Sequence, residues 1–112
     1  MTKNKQRNKK RINIGILQDK IPEEITKRGA QSITHIAGDL EYWNKLKDKL
    51  QEEVNEFLNE SNNEELIDIL EVIEAICKFK GIKKQELKII KENKANKKGK
   101  FDKRVILDEV KE

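Results

Sequence analysis

Glu52, Glu53 and Glu56 form an EExxE pattern, and Glu65 with Asp68 an ExxD pattern, on either side of the polar break Ser61-Asn62-Asn63. Residues three apart project from one side of a helix, so each pattern would present its acids together. If the two segments form an antiparallel hairpin turning near 60–62, Glu56 and Glu65 stand about 5 Å above the turn and Glu53 and Asp68 about 10 Å, at 1.5 Å per residue. The four carboxylates are then level in pairs. Neighbouring carboxylates repel, and burying one alone is costly. A hard divalent cation relieves both problems, and Mg²⁺ in particular takes oxygen ligands and is shared between carboxylates and substrate phosphates. The chemistry suggested is phosphate chemistry: acids hold a metal, and basic side chains hold the rest of a polyphosphate. The competing reading is a solvated helix face, because 21 Asp/Glu in 112 residues make EExxE alone a weak signal.

Positioning these acids requires helices. Only 35% of the residues are hydrophobic and 41% are charged, so apolar positions must be gathered into narrow stripes, which helices do best. A short helix is expected from Pro22 to Lys27, closed by Gly29, followed by an extended connector over 31–39. Asp39 is the expected N-cap of a long helix to about Glu60, with Trp43, Leu46, Leu50, Val54 and Phe57 on one stripe, Glu53 at its border and Glu52 opposite it, facing water. Ser61 and Glu64 have capping-box spacing for the next helix, which should run to about Lys80 and stop at Gly81. Leu66, Ile67, Ile69, Leu70, Val72, Ile73, Ile76 and Cys77 cover more than half of that helix, and Glu65 falls inside its apolar arc. One partner helix cannot cover such a surface, so the expected fold is an all-α hairpin bundle with a short extended N-terminal segment, completed by self-association. A third long helix, 83–97, ends at Gly99, and Val105–Leu107 could be a strand, a docking segment or a last helical turn.

Charge is segregated along the chain. The net charge is +4, yet residues 1–11 hold six Lys/Arg and no acid, and 91–104 is again basic. The first eleven residues are expected to be a disordered basic tail, with nucleic-acid attraction as the less favoured alternative, and 12–112 a single helical domain. No apolar run is long enough to cross a bilayer, and the basic start leads into no signal-peptide block. A cytoplasmic protein is expected. The single cysteine, Cys77, excludes an internal disulfide and a multi-cysteine zinc site.

Taken in order, "LQDKIPEEITKRG" (17–29), "EYWNKLKDKLQEEVNEFL" (41–58), "EELIDILEVIEAI" (64–76) and "GKFDKRVIL" (99–107) resemble the all-α MazG-like nucleoside triphosphate pyrophosphohydrolases, in the branch labelled phosphoribosyl-ATP pyrophosphohydrolase-like. The resemblance implies hydrolysis between the α- and β-phosphates of a nucleotide, giving a monophosphate and pyrophosphate. It implies Glu53, Glu56, Glu65 and Asp68 as Mg²⁺ ligands, with Mn²⁺ as a substitute, Glu52 and Glu53 as the catalytic pair with Glu52 either orienting water or standing outside the ligands, and a homodimer or larger homo-oligomer. Two departures stand out. Gln18 replaces the Arg that usually precedes Asp-Lys-Ile-Pro, and apolar residues with Glu71 replace the aromatic–His pair of histidine-pathway enzymes.

Lys20, Lys94, Lys98 and Arg104 are the phosphate-side candidates, the first within Asp-Lys-Ile-Pro and the others around a helix end and Gly99. His35 has no second His or Cys for a transition-metal site. Trp43 and Cys77 are read as packing residues, as is Phe57, for which the wall of a base pocket is the alternative. The rival functions are a non-catalytic nucleic-acid- or partner-binding module and a nucleotide sensor that binds without turnover.

Overall fold

The computed structural model describes residues 14–112, so the basic run 1–11 and residues 12 and 13 lie outside the described residues. The described residues are all-α, with no strand among them. Four helices follow in order: α1 (Ile21–Lys27), α2 (Asp39–Glu60), α3 (Asn63–Phe79) and α4 (Lys84–Lys98). The chain divides into two compact units at Ile76/Cys77. The first contains α1, α2 and most of α3; the second contains the end of α3, α4 and the C-terminal segment. No helix among the described residues is long and apolar enough to cross a membrane.

In the first unit, Pro22 occupies the first turn of α1, where its missing N–H would have no helical partner anyway. Gly29 closes α1 at φ +86°. Its N–H donates to the Thr26 carbonyl and that of Ala30 to the Ile25 carbonyl, the bond pair of a Schellman ending. Residues 30–38 then run without regular structure, and α2 begins one residue earlier in register than the Asp39 cap reading required. Gly38 is the extended N-cap and offers no side-chain cap, while Asp39 is already helical. Its carboxylate still lies in the first turn, where the helix dipole favours negative charge.

The turn between α2 and α3 corrects the expected Ser61–Glu64 capping box. Ser61 sits in the left-handed region at φ 55°, ψ 32° as the C-cap of α2, its N–H donating to the Phe57 carbonyl at 2.7 Å. A residue finishing one helix that way cannot adopt the extended backbone of an N-cap. Asn62 takes the role instead: its Oδ1 accepts the Glu65 N–H at 3.0 Å. The hairpin therefore turns in two residues, Ser61 and Asn62.

The buried side chains of the first unit are few: Ile25, Leu46 and Val72 among the apolar residues, and Glu53 and Glu65 among the charged ones. Leu46 and Glu53 are seven apart on α2, as are Glu65 and Val72 on α3, so on each helix a carboxylate and an aliphatic share one inward stripe. Trp43, Leu50, Val54 and Phe57 are only half-buried. On the other side of α3, Leu66, Ile67 and Leu70 are 44–58% exposed.

In the second unit, α3 ends as the sequence suggested, at a Gly81 with φ +79°. Gly81 N–H donates to the Lys78 carbonyl and Ile82 N–H to that of Cys77, again a Schellman ending. Cys77, read as a core residue, is instead only half-buried; it lies where one compact unit gives way to the next, and its side chain is not enclosed. Lys83 N–H donates to Glu86 Oε1 at 3.4 Å at the start of α4. Val105–Leu107 form neither strand nor helical turn and are 75–81% exposed.

Candidate metal centre

Three carboxylates converge across the hairpin. One oxygen from each of Glu53, Glu65 and Asp68 lies within 4.8 Å of the other two. Glu53 comes from the last third of α2, Glu65 and Asp68 from the first two turns of α3, and the two-residue turn brings the two segments side by side. Asn62 matters here because its bond to the Glu65 N–H fixes the turn of backbone from which that side chain departs.

The site is buried and short of partners. Glu53 is 6% and Glu65 4% exposed. Glu53 Oε1 and Glu65 Oε1 are each buried without a hydrogen-bond partner, although buried polar atoms in proteins are almost always paired. One cation is already present: Lys49 Nζ lies 3.3 Å from Glu53 Oε2 and 3.5 Å from Glu52 Oε2, with its side chain 16% exposed. Its single charge pairs with Glu53 and Glu52 and is felt at Asp68.

Electrostatics record the conflict. Burial pushes the Glu53 carboxyl up; Lys49 opposes this, and Asp68 and Glu56 add to it. Burial also raises Glu65, reinforced by Glu56 and Asp68 and opposed by the Asn62 side chain. Asp68 is raised by burial, then by Glu71, with Lys49 pulling the other way before Glu56 and Glu64 add their repulsion. In each case burial and like charge outweigh what compensation the charged form has.

The donor set suits a hard cation. It is made of oxygen atoms only, two of them buried and unpaired; oxygen ligands of this kind match hard cations such as Mg²⁺ or Mn²⁺ in preference to softer metals. Of the four acids expected at the metal, Glu53, Glu65 and Asp68 are brought together. Glu56, half-buried, stands outside this trio but is close enough to repel all three. Glu52 does not face water as its helical angle suggested: it is half-buried with Lys49 folded against it. Lys20 caps α1 in the first unit, Lys94 and Lys98 lie on α4, and Arg104 follows Gly99 with φ 59°; all four are exposed. His35 pairs with Glu41 at 2.9 Å and Trp43 carries the Lys47 ammonium 5.2 Å from its ring centroid. Sequence reasoning missed Lys49, although its i,i+4 spacing to Glu53 is a readable ion-pair signal, and it missed Asn62.

Compared with known proteins, the chain matches no family model, no curated protein and no solved structure.

Proposed function

We propose that this chain is an Mg²⁺-dependent nucleotide pyrophosphohydrolase with a MazG-like helical hairpin, cleaving the α–β phosphate bond of a (d)NTP or related nucleotide to a monophosphate and pyrophosphate in the cytoplasm. The observation that carries this reading is the meeting of the Glu53, Glu65 and Asp68 carboxylates within 4.8 Å, with unpaired buried oxygens on both glutamates. A divalent ion held there by Glu53, Glu65 and Asp68 would neutralise charge on a phosphate oxygen and make water a better nucleophile.

The residues divide the remaining work. Glu53, Glu65 and Asp68 are the ligands, with Glu56 extending the negative field toward the same point. Glu52 lies on Glu53's helix, half-buried and paired with Lys49; as the outer carboxylate it orients water and accepts a proton at a carboxylate oxygen. Lys49 offsets the negative charge that gathers during attack on phosphorus. Lys20, which lies in the same compact unit as the carboxylates, is proposed to contact phosphates. Self-association into a homodimer or larger homo-oligomer is part of the proposal, supported by the exposed Leu66, Ile67 and Leu70 on α3.

The test is a panel of ordinary and modified nucleotides with the purified protein and Mg²⁺ or Mn²⁺, read out as monophosphate and pyrophosphate. Orthophosphate as the sole product refutes the reading. Metal-dependent nucleotide binding by calorimetry without any product assigns the protein to sensing instead.

A further inference from the structure

The second unit, 77–112, carries thirteen Lys/Arg against six Asp/Glu, and within it the charge is focused on one helix face. At 100° per residue, Lys84, Lys88, Lys91, Lys94 and Lys98 fall inside an arc of about 120°, and all five are exposed. The only other α4 residues in that arc are Leu87 and Ala95, both half-buried. The two acids of α4, Glu86 and Glu92, lie outside it. Five ammonium groups thus line one side of a helix over about 21 Å, with successive axial steps of about 4.5–6 Å.

From this placement we infer that the lysine face of α4 is a sequence-independent docking surface for the phosphate backbone of a nucleic acid. The spread of charge decides the class of partner. A single nucleotide's phosphates cannot meet cations distributed over about 21 Å, whereas a polymer with a charge every few ångströms can. An α-helix also fits the roughly 12 Å width of a duplex major groove. Lysine supplies point charge without the planar fork that reads base edges, so the face favours backbone contact over sequence reading. An anionic membrane fits less well, because the rest of α4 mixes Ile89 and Ile90 with Gln85, Glu86, Asn93, Asn96 and Lys97 and forms no continuous apolar face to insert.

The experiment is fluorescence anisotropy of the full chain with a labelled 20-base-pair duplex between 50 and 250 mM NaCl. If all five lysines engage, they contribute about −4.5 to the slope of log K against log[NaCl], at about −0.9 per phosphate neutralised. The Lys84→Gln/Lys88→Gln/Lys91→Gln variant, with its helix content checked by circular dichroism, should lose about 2.7 of that slope and bind at least about tenfold more weakly at 100 mM. The same loss should appear when the three substitutions are made in a chain lacking residues 1–11. Glu53→Gln should leave duplex binding unchanged, so this inference and the hydrolase reading fail separately. An unaltered slope in the triple variant, binding abolished by removal of residues 1–11 alone, or binding to phosphatidylserine vesicles with none to the duplex overturns the inference.

Discussion

Lys49 lies one helical turn before Glu53 and holds it: Nζ stands 3.3 Å from Glu53 Oε2 and also reaches Glu52 Oε2. The ammonium partly neutralises a cluster that otherwise lacks counter-charge, and it competes with any metal for the same negative field. Lys49→Met should therefore bind Mn²⁺ about tenfold more tightly at pH 8, or ~1.4 kcal/mol, while the metal-free protein melts at a lower temperature. Titration calorimetry and thermal unfolding in EDTA measure the two effects, and weaker Mn²⁺ binding would sink the competition argument.

Ligand and outer residues should separate by magnitude. Removing an outer partner of a metal site typically lowers affinity or activity about 10–100-fold. Glu52→Gln should fall in that range, whereas Glu53→Gln and Asp68→Asn should each reduce pyrophosphate release by more than about 100-fold with the helix content intact. Equal activity in all three variants would remove the acids from the chemistry.

The raised carboxyls make a signed pH prediction. Glu53, Glu65 and Asp68 titrate above their ordinary 4.5, 4.5 and 3.8, so between those values and the raised ones the folded chain binds more protons than the unfolded chain. Stability of the metal-free protein then falls as pH rises through that window, and the loss persists above it. Glu65→Gln should be about 1 kcal/mol more stable than the parent at pH 8 in EDTA, with the gap closing toward pH 4.5. Denaturant melts across the range would show it, and a gap of opposite sign would contradict it.

At the hairpin turn, Asn62→Ala removes the only side-chain acceptor seen for the Glu65 N–H among the described residues and should cost about 1 kcal/mol. Ser61→Gly should stabilise by a few tenths to about 1 kcal/mol, because Ser61 holds φ 55°, a conformation glycine adopts freely. If Asn62 also orients Glu65, Asn62→Ala should weaken Mn²⁺ binding beyond its effect on melting. Unchanged affinity would confine Asn62 to capping.

The exposed face of α3 bears on assembly. Leu70 is 58% exposed beside Leu66 and Ile67, and self-association through that face predicts that Leu70→Lys lowers the mass measured by light scattering to that of one chain. A parent protein that is already monomeric would refute the proposed oligomer.

Much of this was legible in the order of residues. Helical periodicity, Pro22, and glycines at 29, 81 and 99 mark where helices start and stop, because those signals act within a few residues through backbone geometry and hydrogen bonding. The convergence of Glu53 with Asp68 could be expected from spacing about a short turn. Three things depended on how α2 and α3 lie against each other. Glu53 moved from the border of an apolar stripe into the inward-facing stripe; Glu56 stayed outside the trio; and Glu52, expected in water, was drawn against Lys49. Angular position on one helix says which residues share a side, but the neighbouring helix decides which of them lose water, and loss of water is what raises the cost of holding those acids charged.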